Sequence, residues 1–250
     1  KPGEVWESAE FWLTPHRAGW AKGIEVYRAY VSAMSAGRET PIPDRIRRGL
    51  GFQTVWMIQS AEYDPLHAAF RFADIERIAL DAKVHGLDEL VLWGWCHYGS
   101  LPIRHRSELG TMEELLRGVK SAREAGVNVS LFVSIKQLDD SFAERYGVKK
   151  GTSASWTFHP ELIPAMYPFD TPSNRIDVAT TNAEWQKDVY AALGEWIDRG
   201  VTSFAWDVFD DAGSMGLIDL IRRLRLRANR LGVGASFAGE PYMGTVERAA

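Results

Sequence analysis

The stretch Val201 to Asp211, VTSFAWDVFDD, decides the fold. Phe204, Trp206 and Val208 alternate with Ser203, Ala205 and Asp207. Successive side chains of a strand point to opposite faces, so the bulky set shares one face and the small set shares the other with Asp207. Such a strand suits a parallel barrel. Its bulky face packs outward beneath helices, and its small face points inward and ends in an acid at the strand's C-terminal end, where barrels carry their functional groups.

The punctuation around that strand is regular. Four times a helical pattern ends in glycine and an apolar run starts at once: Gly86-Leu87, Gly126-Val127, Gly200-Val201 and Gly232-Val233. Glycine supplies the left-handed position that stops a helix. The other expected strands are FQTVWMIQ (52–59), LDELVLWGW (87–95), VNVSLFVSI (127–135) and VGASFAGE (233–240). Between them lie amphipathic helices, two of them opened by capping boxes, Thr111 with Glu114 and Thr181 with Glu184. Alternating helices and strands make parallel βαβ units. The sequence therefore predicts an α/β chain, a (β/α)8 TIM barrel incomplete over residues 51–250 with about five βα units. A long insertion, about Lys136 to Ala179, follows the third strand. Residues 1–50 stand outside this rhythm and read as an inter-domain segment, with a helical IEVYRAYVSAM run and a linker stiffened by Pro41 and Pro43.

Composition sets the outer bounds. The 250 residues are 46% hydrophobic and 25% charged with net charge −4, which suits one large α/β domain and argues against a nucleic-acid partner. No uncharged apolar run reaches the roughly 18 residues of a membrane span. A single cysteine, Cys96, excludes an internal disulfide and a cysteine-based zinc cluster, and the six histidines lack ligand spacing. No metal site and no cofactor are expected. The chain opens on Lys1 without a basic-then-apolar leader, which fits a removed signal peptide or a piece of a longer protein. The piece is expected, because the βα pattern stops before a barrel would close, and the compartment is left open, secretion or the periplasm included. The arginines of RRLRLRANR (222–230) read as a solvated helix face.

Several strand ends converge on one rim. They deliver Glu62 after the first strand, Trp93, Trp95 and His97 around the second, Lys136 after the third, Asp207 and Asp210 at the fourth, and Glu240 at the fifth. Ser236, Ala238 and Glu240 share a face just as Ser203, Ala205 and Asp207 do. Adjacent strands lie about 4.8 Å apart, so the two acids can approach the roughly 5 to 5.5 Å separation of a retaining glycosidase. Asp207, with Asp210 nearby, suits the nucleophile that stays ionised, and Glu240 suits the acid/base. Among ten tryptophans, Trp93, Trp95 and Trp156 are candidates for a sugar subsite, together with Arg175. Each of these residues is equally open to a packing or capping role.

The run NRIDVATTNAEWQKDVYAALGEWIDRGVTSFAWD (174–207) resembles melibiase-like barrels of the α-galactosidase clan. In those barrels an Arg-x-x-Asp strand, an Asn at a helix start and an amphipathic helix lead to a Trp-Asp or Lys-x-Asp nucleophile strand. The resemblance implies Asp207 as nucleophile and Arg175, Asp177 and Asn182 as its lead-in. Over Gly51 to Gly244 the chain also resembles an uncharacterised glycoside-hydrolase-type barrel family that follows a β-sandwich domain, which would make residues 1–50 the end of such a domain. One departure stands out. Melibiase-like enzymes are expected to carry the acid/base on a sixth strand, beyond Ala250, whereas Gly239-Glu240 is similar to the amylase-type layout. The resulting expectation is a glycosidase with an oligosaccharide or polysaccharide substrate, retaining, acting on α-linked sugars. A non-catalytic carbohydrate-binding barrel, or a lyase or metal-assisted hydrolase of the same fold, is the alternative.

Overall fold

The computed structural model describes residues 15, 17, 19–35, 49, 51–60, 67–97, 99–150, 175–207 and 214–239. The chain forms two compact units, Lys1–Pro41 and Ile42–Ala250. The described part of the first is essentially one helix, α1 (Trp20–Ser35), with exposed Trp20, Tyr27 and Tyr30.

The second unit is built on a parallel sheet. Its strands are β1 (Phe52–Trp56), β4 (Glu89–Trp93), β5 (Asn128–Val133), β8 (Ser203–Trp206) and β9 (Ser236–Gly239). They lie in the order β1-β4-β5-β8-β9, so each new strand adds to the same edge, as in a (β/α)8 barrel rather than a doubly wound sheet. Helices α2 (Ile75–Val84), α3 (Met112–Glu124), α5 (Ala183–Asp198) and α6 (Ser214–Arg230) form the crossovers. Gly86, Gly126, Gly200 and Gly232 all have positive φ, as helix-stopping glycines require.

The expected first strand divides. β1 ends at Trp56, and β2 (Ile58–Ser60) leaves the main sheet to pair antiparallel with β3 (His67–Ala68). The carbonyl of Met57 accepts from the N–H groups of Ala69 and Phe70, at 2.9 and 3.2 Å, which folds the chain back at that point. Thr111 and Glu114 make the reciprocal capping box, but the cap of α5 is Asn182 rather than Thr181. Asn182 Oδ1 accepts from Trp185 N–H at 3.1 Å while its Nδ2 donates to the Tyr146 carbonyl at 2.9 Å, so separate atoms of one amide cap the helix and tie it to a residue far off in sequence.

The alternation of β8 sorts its side chains by size. Phe204 and Trp206 are buried on the helix side and contact Phe237, while Ser203 and Ala205 occupy the opposite, inward face with Asp207 next in line. Between α5 and α6 the contact is partly charged: Arg223 and Arg230 are exposed, as expected of a solvated face, but two of the arginines also reach across to α5. Arg223 and Arg227 both lie 5.4 Å from the Tyr190 ring centroid, Arg223 donates to Gln186, and Arg227 pairs with Asp198. Their cation–π contacts with a half-buried tyrosine hold the helices together, because a planar guanidinium packs well on a ring face.

The insertion after β5 is anchored where it leaves the barrel. β6 (Gln137–Asp139) pairs antiparallel with β7 (Arg175–Asp177), and the short helix α4 (Ala143–Tyr146) is tied to α5 by Asp188. Arg145 donates to both Asp188 oxygens at 2.5 and 2.6 Å, and the Tyr146 hydroxyl donates at 2.9 Å. These bonds, the Arg145 pair foremost, hold the Asp188 carboxyl below its ordinary pKa of 3.8.

Two outcomes follow from this packing. A Cβ on Gly118 would lie 2.9 Å from Ile75 Cβ and 3.2 Å from the Phe72 carbonyl oxygen, so Gly118→Ala is expected to destabilise the protein by about 1 to 2 kcal/mol in urea titration, overpacking outweighing the gain in helix propensity. The depressed carboxyl of Asp188 stabilises the fold above the ordinary Asp pKa, and that contribution is lost as pH falls through its lowered value. Asp188→Asn should therefore melt below wild type at neutral pH, and the gap between their melting temperatures should close on acidification below about pH 4.

Candidate active site

The inward face of the sheet is layered by the strand register. The innermost polar layer crosses four strands. Ser130 Oγ donates to the Glu89 carboxylate, Ser130 and Ser203 Oγ are hydrogen-bonded, and Ser203 and Ser236 Oγ lie 2.7 Å apart. A serine hydroxyl has one proton, so with Ser130 committed to Glu89, Ser203 donates to Ser130 and Ser236 to Ser203. Three of the groups are nearly inaccessible to water, and this chain satisfies polar atoms that would be costly to bury alone.

One layer toward the C-terminal ends, Trp56, Trp93, Phe132, Ala205 and Ala238 fall side by side. The Trp93 ring stacks on Phe132 with centroids 3.6 Å apart and meets Trp56 at 4.9 Å and 36°. A ring from each flanking strand packs against Trp93. The layer is thus aromatic on β1, β4 and β5 and small on β8 and β9.

The next layer is the rim. The Asp207 N–H donates to the Val133 carbonyl at 3.0 Å, so the parallel ladder continues one residue past β8 and sets half-buried Asp207 beside Ser134. Farther along the same segment Lys136 is buried, its Nζ 3.5 Å from Asp177 Oδ1, with side chains 10% and 33% exposed. Trp185 Nε1 donates to the Ile135 carbonyl at 2.6 Å and Val178 N–H to the Lys136 carbonyl at 3.1 Å, which fixes the backbone on both sides of this pair.

The expected site residues separate accordingly. Asp207 and Lys136 stand on one rim, and Trp93 lines the layer beneath. His97 is exposed in the loop after β4, where its N–H donates to the Arg104 carbonyl. Arg175 opens β7 opposite Asp139. Trp95 is a correction. Gly94, at φ 70°, breaks the alternation, and Trp95 is fully buried with its ring edge against Trp196 at 4.9 Å and its N–H on the Phe132 carbonyl at 2.7 Å. No ring face is left for a sugar. Glu62, Trp156, Asp210 and Glu240 lie outside the described residues, although the β8–β9 register runs to Trp206 opposite Gly239, the residues just before Asp207 and Glu240. Asp177, expected in the insertion and in the lead-in to Asp207, pairs with Lys136 at the rim; no local pattern links residues so far apart. Among the described residues no three His, Cys, Asp or Glu side chains gather as a metal site.

The sequence matches no protein-family model and no curated protein. Solved structures are similar in fold. The alpha-N-acetylgalactosaminidase NagBb from Bifidobacterium bifidum matches with a TM-score of 0.57 and 15% identity, covering 90% of this chain and 40% of that one. An alpha-amylase from Geobacillus thermoleovorans, complexed with acarbose, gives 0.58 and 12%, covering 77% and 46%. The GH36 alpha-galactosidase AgaA from Geobacillus stearothermophilus gives 0.50 and 12%, covering 78% and 28%. The chain spans less than half the length of each of these proteins. The fold is the α/β barrel type that glycoside hydrolases use.

Cys96 lies in the same rim region but is buried, and burial pushes its thiol up to about 12. The native protein should therefore give no rapid reaction with Ellman's reagent at about pH 8, and one thiol should appear only on unfolding in guanidinium.

Proposed function

We propose that this chain carries the sugar-cleaving barrel of a glycoside hydrolase that acts with retention on α-linked sugars. The observation that supports it most is the position of Asp207: inward-facing, one residue past β8, at the C-terminal rim, where β8 pairs with β9 as far as Trp206 opposite Gly239. In this reading Asp207 attacks the anomeric carbon and the glycosidic C–O bond breaks as Glu240 protonates the leaving oxygen. Glu240 then takes a proton from water, whose oxygen displaces Asp207 from the anomeric carbon. The α-linkage is supported by the names of the similar structures, an alpha-N-acetylgalactosaminidase, an alpha-amylase and an alpha-galactosidase. Lys136, His97 and Trp93 would border the sugar, with Glu62, Trp156, Arg175 and Asp210 as further contacts. Trp95 is left out, being core.

The test is hydrolysis of a panel of aryl α- and β-glycosides by the full-length protein, wild type against Asp207→Asn, with azide added. The variant should lose at least about a thousandfold in kcat/KM, and azide, entering from the face that Asp207 would attack, should restore turnover as the β-glycosyl azide. An Asp207→Asn protein of wild-type activity removes Asp207 from the chemistry. Oligosaccharide binding without cleavage across the panel would favour a carbohydrate-binding barrel.

A further inference from the structure

We propose that Lys136 and Asp177 together recognise two neighbouring hydroxyl groups of the sugar ring held over Asp207, an inference that rests on the glycosidase reading. The pair stands at the end of β5, the strand whose Val133 carbonyl holds the Asp207 backbone. Burying an ammonium is costly, and a buried ion pair is at best a weak source of stability compared with apolar residues of the same size. The hairpin beneath it does not depend on that charge. Its closure is already made by Val178 N–H on the Lys136 carbonyl, the ladder pairing Gln137 with Asp177 and Asp139 with Arg175, and Asp139 N–H on the Gly99 carbonyl at 2.8 Å.

The chemistry of the pair fits a diol. An ammonium offers three donors and no acceptor, and a carboxylate offers only acceptors. Two adjacent ring hydroxyls present an oxygen that can accept from Nζ and a proton that can be donated to the carboxylate, about 3 Å apart. The pair's 3.5 Å separation matches that spacing, and the more exposed member is the acceptor.

The experiment takes the aryl glycoside that wild type cleaves best and its monodeoxy analogues, one for each ring hydroxyl. They are assayed with wild type, Lys136→Met, Lys136→Arg and Asp177→Asn, with thermal melting to show that each is folded. Wild type should lose roughly 10- to 100-fold in kcat/KM on two adjacent deoxy analogues. Lys136→Met and Asp177→Asn should lose a similar factor on the parent glycoside but no more than about twofold further on those analogues, since the contact is already gone. Two results would overturn the proposal: deoxy penalties undiminished in the variants, which marks a structural role, or wild-type kcat/KM in both variants. The wild-type analogue series stands by itself if Lys136→Met fails to fold, and Lys136→Arg should then retain the penalties. Failure of the glycosidase reading looks different, because Asp207→Asn then stays active or nothing is cleaved. In the second case the parent monosaccharides are titrated calorimetrically. Binding lost in Asp177→Asn upholds the pair, and no binding to wild type overturns it.

Discussion

The hydrogen bond from the Asp207 N–H to the Val133 carbonyl is the constraint on which the rim depends. It carries a parallel ladder past the end of a short strand and so places one acid at a fixed height. Because β8 lies between β5 and β9, what stands beside Asp207 is decided by its neighbours, and on the β5 side that is Ser134. A ladder shifted by one residue would send Asp207 to the helix side and Trp206 inward, since side chains alternate with a period of two.

The sheet reverses the usual distribution of bulk. Its outer side is packed with Phe204, Trp206, Leu90, Leu92, Val129 and Leu131, whereas its inner side has a serine–glutamate chain, an aromatic stack confined to β1, β4 and β5, and alanines at β8 and β9. Stability comes from the helix side, where buried apolar area is large. The inner side can then carry small and polar groups as long as they hydrogen-bond to one another. A barrel of this type separates the work of folding from the work of its rim.

Much of this was legible along the chain. Glycine stops and apolar periodicity are local, and they marked the five parallel strands, the four helices between them and the inward face of β8. Where local chemistry had two close solutions it misled: the cap of α5 moved from Thr181 to Asn182 because Tyr146, far off in sequence, supplied a second partner for the amide. Gly94 offered no sign in sequence that it would turn Trp95 outward, and Trp93, read as a stacking face, has rings from both flanking strands packed against it.

The sequence by itself determined the order of strands and helices, the class of the fold and the faces of its strands, because period and punctuation are properties of consecutive residues. Only the tertiary structure decided which distant groups meet: Lys136 with Asp177, Arg227 with Asp198 over Tyr190, Ser130 with Ser203 and Glu89. Those encounters depend on register between strands and on the crossing of helices. Both are set by the whole core at once, so no single stretch of sequence records them.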